Sequence, residues 1–358
     1  MINDLLLRTG KERLNWFEQN HTIINTVEGL KIALEGFPKK FAFDTETTGV
    51  RYYQLNIIGI SFWDGKNNPF YAQFNFKDKY YTEERDPENK RKKIKVWHDY
   101  EKTDAIDLEE ALPILKETFD GAETICANGK FDIKVMAKYD IWNFKTTKLI
   151  EDTQIQVYLL DSSKPQGLKP NVKKYVGYEM GSYEDTVLAT KKAGELNINW
   201  NLVDWQVYGR YGALDAFSTL MLNMILRPLL KSVGLQRNPA LESVHVDKCY
   251  YEIEIPLVVV TASMEIHGVH INKAHLKKIE KSIDKEITQR EKNIFAQVGL
   301  KFNINSGKQV AEVLFDKLKY PVIGKTASGA RATDAKTLSE LAYRGHTLAD
   351  EILAYGGS

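Results

Sequence analysis

Cysteine is nearly missing from this chain of 358 residues: Cys126 and Cys249 are the only two, and they stand far apart. Two such thiols cannot build a disulfide framework or a structural zinc set, and they suit a reducing compartment. Long apolar runs are missing as well. The longest uninterrupted aliphatic stretch, Leu257 to Val260, falls far short of the ~20 residues a bilayer span needs, so no membrane partner is expected. The early cluster Leu5 to Leu7 follows Asp4 and precedes no small-residue cleavage site, which predicts no secretory leader. An excess of charge of one sign is the third absence. With 49 basic and 48 acidic residues the net charge is +1, so no global basic field draws in phosphates, and any nucleic-acid binding must rest on local sites. What remains is ordinary globular material, 43% apolar and 27% charged, at a length that predicts two domains.

The first domain is expected over 1–235 and the second over 236–358, because Ser232-Val-Gly-Leu-Gln-Arg-Asn-Pro239 gathers turn formers between two helical patterns. Upstream, strand-length apolar runs (Lys40 to Asp44, Ile57 to Trp63, Phe70 to Phe76, Thr124 to Ala127) alternate with helical patterns such as Leu108 to Thr118, which predicts an α/β or α+β layer fold. Lys77 to Asp104, with Lys90-Arg-Lys-Lys93, breaks this pattern and reads as a solvated insertion loop. Downstream the chain reads as helical. Ile253 to Ile266 is long enough for a buried helix with Pro256 in its first turn. Lys273 to Val298 carries one apolar stripe (Leu276, Ile279, Ile283, Ile287, Ile294, Val298) on a long exposed helix. Ser306 with Gln309 signals a capping box, and Thr333 is placed to cap the next helix. Between Lys301 and Arg344 there are eight basic residues against four acidic ones, a local excess that could hold a phosphate backbone or arise by chance.

Three segments carry the chemistry. In Phe41-Ala-Phe-Asp44-Thr-Glu46-Thr-Thr-Gly49, a buried strand ends in two carboxylates at i and i+2, which project from one face and repel unless a cation neutralises them. Hard oxygen ligands favour Mg²⁺ or Mn²⁺. In Ala127-Asn128-Gly-Lys-Phe-Asp132, a strand runs into a helix with Asn128 as a candidate N-cap and Asp132 one turn up. In Tyr208-Gly-Arg-Tyr211-Gly-Ala-Leu-Asp215-Ala, the small residues Gly212, Ala213 and Ala216 allow close packing. Tyr211 and Asp215 share a face there, and an aspartate in so apolar a helix needs a partner or a metal.

The order Asp-x-Glu, Asn-x-x-x-Asp, Tyr-x-x-x-Asp resembles the DEDD superfamily of 3′–5′ exonucleases, in its tyrosine subclass. Glu151-Asp152-Thr-Gln, Val157-Tyr-Leu-Leu160, Gly167-Leu-Lys and Lys173-Lys-Tyr-Val-Gly177 resemble the text that connects these motifs. Tyr251-Glu-Ile-Glu-Ile-Pro-Leu257, Met264-Glu-Ile-His-Gly-Val269, Phe302-Asn-Ile-Asn-Ser306 with Lys308-Gln309, Val313-Leu-Phe315 and Ala332-Thr-Asp334 resemble the start of the polymerase region in family A DNA polymerases, apart from Gly307 where proline is frequent. The resemblance implies a ribonuclease H-like mixed-sheet exonuclease domain followed by an all-α, thumb-like domain.

By the same resemblance, Asp44, Glu46, Asp132 and Asp215 would hold two Mg²⁺ or Mn²⁺ ions, and Tyr211 would orient the attacking water. Asn128, Thr48, Tyr52 and Phe217 would contact substrate. The implied activity is removal of nucleoside 5′-monophosphates from DNA 3′ ends, as the proofreading part of a polymerase in DNA replication. The implied partners are single-stranded 3′ ends and primer–template DNA, and the setting is the cytoplasm of a bacterium or a virus-infected host cell. The palm motifs of that family, Asp-Tyr-Ser-Gln-Ile-Glu and His-Asp-Glu, do not occur in the sequence. This chain alone is therefore not expected to polymerise DNA, and a separate palm-and-fingers chain is a candidate partner. Two rival readings are a catalytically silent DNA-binding or subunit-assembly module and an RNA exonuclease. His267, His270 and His275 lack a fourth zinc ligand and read as turn and helix-surface residues, and Cys126 reads as a small buried residue.

Overall fold

Strand β2 (Lys40–Thr47) occupies the middle of a six-stranded mixed sheet, and its alternation decides what lies on each side. The computed structural model describes residues 1–87, 93–181, 186, 190–192, 195–237 and 246–356. With β1 (Thr22–Ile24), β3 (Ile57–Trp63), β4 (Phe70–Gln73), β7 (Glu123–Cys126) and β8 (Lys148–Asp152), the sheet order is β1-β4-β3-β2-β7-β8. The β2–β3 and β3–β4 pairs are antiparallel, whereas β2–β7, β7–β8 and β1–β4 are parallel. Every residue of β3 is buried, as expected of a strand covered on both faces.

Phe41 and Phe43 point into one hydrophobic cluster with helices α3 (Val27–Leu34), α4 (Leu108–Phe119) and α5 (Gly129–Lys138). Ala42 points into the other, beneath the long helix α8 (Trp205–Arg237). Close approach of α8 depends on its small residues. A Cβ on Gly212 would lie 2.6 Å from Cδ2 of Tyr71, and Ala213 and Ala216 are fully enclosed. Over Trp205–Val233 this helix has the length and hydropathy of a bilayer span, yet 72% of an 18-residue window within it is buried by its own chain, which makes it the core helix of the sheet.

Two compact units emerge, Met1–Gly268 and Val269–Ser358. Of the turn expected at 232–240, residues 232–237 belong instead to α8, and 238–245 lie outside the described residues. Helix α10 (Ile255–His267), with Pro256 at its start, packs with the first unit. Lys130 donates to its Glu265 at 2.7 Å. Just before α10, the Tyr250 hydroxyl accepts from the Asp152 amide at 2.7 Å.

The second unit is helical among the described residues, with α11 (Lys273–Val298), α12 (Gly307–Ala311), α13 (Ala335–Tyr343) and α14 (Thr347–Gly356) around Ile294, Leu314, Leu341 and Leu348. Two caps differ from expectation. Asp334, not Thr333, accepts from the Thr337 amide and starts α13, because its carboxylate is the stronger acceptor; Thr333 bonds the Gly307 carbonyl instead. Ser306 does cap α12, but the Gln309 side chain accepts from the Asn303 amide, so the capping box is half formed.

The largest correction concerns Lys77 to Asp104. Instead of a loop it forms a ten-pair antiparallel hairpin, β5 (Phe76–Arg85) and β6 (Lys93–Lys102). Ile94, Val96, His98 and Tyr100 are half-buried on one side, while Lys93, Lys95, Trp97, Asp99 and Glu101 take the exposed alternate positions. Charges at every second residue are compatible with a strand that has one wet face. Residues 90–92 of the basic run lie outside the described residues.

Candidate active site and metal centre

The alternation of β2 that buries Ala42 also sends Asp44 and Glu46 toward α8, at the C-terminal end of the strand. From α8, Asp215 meets them. One carboxylate oxygen from each of the three residues lies within 4.8 Å of the other two. Glu46 and Asp215 are buried, and Asp44 is half-buried. Three acids held this close, out of water, are costly unless protonated or neutralised by a cation. Desolvation, joined by repulsion from the neighbouring carboxylates, raises Asp44 and Glu46 well above the usual carboxylate range. Burial pushes Asp215 up to about 7, with Lys169 and a hydrogen bond from Tyr211 opposing it. The donor set is oxygen alone, so this buried group can hold a hard metal ion.

Asp132 approaches from the opposite layer. Thr45 points the other way from its neighbours on β2, and both its amide (3.0 Å) and its hydroxyl (2.6 Å) donate to the Asp132 carboxylate. Burial still pushes Asp132 up to about 7, against these hydrogen bonds. It adds repulsion to Asp44 and so lies at the edge of the cluster. Tyr211, nearly buried on α8, bonds Asp215 as the four-residue spacing requires.

Two contributors escaped the sequence reading. Tyr208, one turn before Tyr211, donates to Glu46 at 3.2 Å; its position on the same helical stripe could have revealed it. Lys169, on the single-turn helix α7 (Leu168–Asn171), sets its ammonium 4.7 Å from the centre of the Tyr211 ring. Its charge favours ionisation of Asp44, Glu46 and Asp215. No spacing rule links it to residues so distant in sequence.

The substrate contacts expected from sequence fare unevenly. Asn128 adopts a left-handed conformation (φ 68°) and makes no side-chain cap. Asp152 performs that task, accepting from the amides of Asn128 and Gly129 and from those of Gln154 and Ile155 at the start of α6 (Thr153–Leu160). Asn128 instead lines a cleft with Asp152, Tyr158 and Gln166. Thr48 closes the loop after Glu46 by accepting from the Asn56 amide at 2.9 Å. The Tyr52 hydroxyl donates to the Glu265 carbonyl on α10 at 3.2 Å. Phe217 is fully enclosed by Trp16, Phe17 and Trp63 and lines no cleft; two residues past Asp215, a helix has turned its side chain to the other side. Cys126 is buried as expected, with its thiol raised by desolvation, so it is no nucleophile. His267, His270 and His275 are exposed.

Comparison with known proteins agrees with this geometry. The model of the family described as 3′–5′ exonuclease matches residues 16–231, and that of DNA polymerase family A matches 273–357. DNA polymerase I of Pseudomonas aeruginosa is 27% identical over 318 residues, covering 88% of this chain and 31% of the relative. That of Borreliella burgdorferi is 28% identical over 315 residues, covering 88% and 29%. A thermostable DNA polymerase I of Thermus thermophilus reaches 41% identity, over 107 residues that cover 30% of this chain and 13% of the relative. The chain thus spans less than a third of the length of these curated relatives. Among solved structures, the POL domain of Pol1 from M. smegmatis in complex with DNA primer-template and dNTP superposes with a TM-score of 0.60 at 17% identity, covering 94% of this chain and 48% of that one, which speaks to the fold. Because the 3′–5′ exonuclease family model matches more than half of this chain, the chain belongs to that family, in the form found in family A DNA polymerases.

Proposed function

We propose that this chain is a divalent-metal-dependent 3′–5′ DNA exonuclease that releases nucleoside 5′-monophosphates from unpaired 3′ ends, the proofreading part of a family A polymerase in cytoplasmic DNA replication. The observation that carries this reading is the meeting of Asp44, Glu46 and Asp215 within 4.8 Å on two buried elements. Asp44, Glu46 and Asp215 would hold one ion, and Asp44 with Asp132 a second. Mg²⁺ or Mn²⁺ bound there would supply charge stabilisation for the displacement at phosphorus.

The chain's own residues set the stage for that reaction. Water bonds to phosphorus, the bond to the 3′-oxygen breaks, and that oxygen leaves with a proton. Tyr211, anchored to Asp215, holds the attacking water through its hydroxyl. Lys169 fixes the Tyr211 ring and presents positive charge toward the scissile phosphate. Thr45 keeps Asp132 from swinging away, and Tyr208 does the same for Glu46.

Primer–template DNA and a palm-and-fingers polymerase unit are the partners this reading implies. The test incubates the chain with 5′-labelled single-stranded DNA and Mg²⁺ or Mn²⁺, beside Asp44→Ala and a matched RNA. The expected result is a metal-dependent ladder shortening from the 3′ end on DNA and absent in the variant. Equal turnover by Asp44→Ala would overturn the proposal, and faster turnover of RNA would move it to an RNA exonuclease.

A further inference from the structure

The β5–β6 hairpin is the largest feature that the exonuclease reading leaves unused. Its base lies at the site's own edge of the sheet. Strands β2 and β4 run in the same direction, since each is antiparallel to β3. Their C-terminal ends therefore share one edge; β2 ends there in Asp44 and Glu46, and β4 leads there into the hairpin. The loop after Glu46 is tied to that base, with Asn56 Nδ2 donating to the Lys77 carbonyl at 2.7 Å.

One face of the hairpin is braced. Trp200 Nε1 donates to Asp78 at 2.7 Å, Asn201 donates to the Tyr80 hydroxyl at 2.8 Å, and Asn197 exchanges two hydrogen bonds with the Tyr81 backbone. The opposite face carries Tyr81 across from Trp97, edge to face with ring centres 5.2 Å apart. Trp97 is 60% exposed, whereas the other five tryptophans are buried or half-buried. Three lysines on this face are already neutralised: Lys77 by Glu101, Lys79 by Asp99 and Lys93 by Glu83. Arg85 and Lys95 have no carboxylate partner among the described residues; Lys95 lies 4.1 Å over the Tyr81 ring. An exposed indole held at a fixed angle, followed farther from the base on the same face by two cations without a carboxylate partner, is a combination that stacks a base and holds its phosphates.

We propose that this face of the hairpin, centred on Trp97 with Arg85 and Lys95, is a binding site for single-stranded DNA that feeds the carboxylate cluster. Trp97 stands five residues up β6 from Lys102 at the base, about 16 Å at the rise of a strand. A long single strand with its 3′ end in the site reaches the plate; a trinucleotide does not. The role as a feeder rests on the exonuclease reading, while the binding itself does not.

The experiment measures affinity for a 16-nucleotide oligo(dT) by fluorescence anisotropy, in EDTA, with the Asp44→Ala chain so that no turnover intervenes. Expected is a loss of about tenfold on adding Trp97→Ala. A similar loss, with a smaller dependence on salt, is expected for Arg85→Glu with Lys95→Glu. Oligo(dT) should quench Trp97 fluorescence, and Trp97→Phe should remove that part of the quench. In the chain with Asp44 intact, the rate on a trinucleotide should stay unchanged by Trp97→Ala. Unaltered affinity in both hairpin variants overturns the proposal, as does failure of oligo(dT) to bind at all. The two readings separate cleanly. Hydrolysis that survives Asp44→Ala sinks the exonuclease assignment and leaves the binding face standing, whereas Asp44-dependent hydrolysis with hairpin-independent affinity sinks only the binding face.

Discussion

The Lys169 ammonium rests 4.7 Å from the ring centre of Tyr211, and the Tyr211 hydroxyl reaches Asp215 on the next turn of the same helix. A cation on one side of the phenol and a carboxylate at its tip leave the ring little freedom. Replacing Lys169 by Met is expected to lower single-turnover hydrolysis roughly tenfold, the size of a partly desolvated cation–π contact. Arg should restore part of the rate, since it also offers charge to the ring. Equal rates for Met, Arg and wild type would remove Lys169 from the mechanism.

Removing a carboxylate proposed to hold metal is a harsher change. Asp215→Asn keeps the size of the side chain and its hydrogen bond from Tyr211, so the fold should persist while the rate falls by roughly two orders of magnitude or more. Circular dichroism beside the rate measurement separates the two effects. Loss of both together would make Asp215 a fold residue.

Stability should respond to pH in a direction set by the raised carboxylates. Asp132 and Asp215 titrate near 7 when folded, against an ordinary 3.8. Below about pH 4 both are protonated in either state, and their favourable contribution is complete. As pH climbs through about 7 the unfolded chain has already released these protons, so that contribution is lost. In EDTA, Tm is therefore expected to fall between pH 5 and pH 8, with Asp215→Asn flattening the decline. Mg²⁺ should raise Tm more at pH 8 than at pH 5.5. A Tm in EDTA that rises over this range would contradict the buried acidic cluster.

Packing of α8 offers a test without chemistry. A methyl group on Gly212 would sit 2.6 Å from the Tyr71 ring, which is itself fully buried. Gly212→Ala is expected to cost about 1–3 kcal/mol, the usual range for overfilling a core, despite the better helix propensity of alanine. Denaturant titration reads it directly, and a stabilised variant would mean that α8 can lift away from β4.

Much of this was legible beforehand. Strands Lys40 to Asp44 and Ile57 to Trp63 are recognisable because their apolar runs lie in the sheet's interior, and α11 is recognisable over Lys273–Val298 from its spaced apolar residues. Asp44, Glu46 and Asp215 follow from local periodicity plus the rule that buried acids need company. The hairpin was missed because its wet face interleaves charges with half-buried residues and so mimics a loop. Phe217 could have been excluded by helical geometry alone. The loss of Asn128 as a side-chain cap has no such local sign, since a left-handed residue gives up the capping geometry its side chain favours, and Asp152, a strand away, supplies the acceptor. Lys169 depends on a tertiary contact that leaves no trace in spacing.

Strand β2 has a consequence for how the protein can fail. Its neighbouring side chains Asp44, Thr45 and Glu46 serve opposite layers, two acids toward α8 and a threonine toward Asp132 on α5. A slip of one residue along β3 or β7 would exchange these directions and drive Phe41 and Phe43 out of their cluster. Correct pairing of the sheet is thus a condition for assembly of the acid cluster. A chain whose β2 is out of register therefore cannot present Asp44 and Glu46 to Asp215, so the proposed activity should disappear together with correct pairing of the sheet.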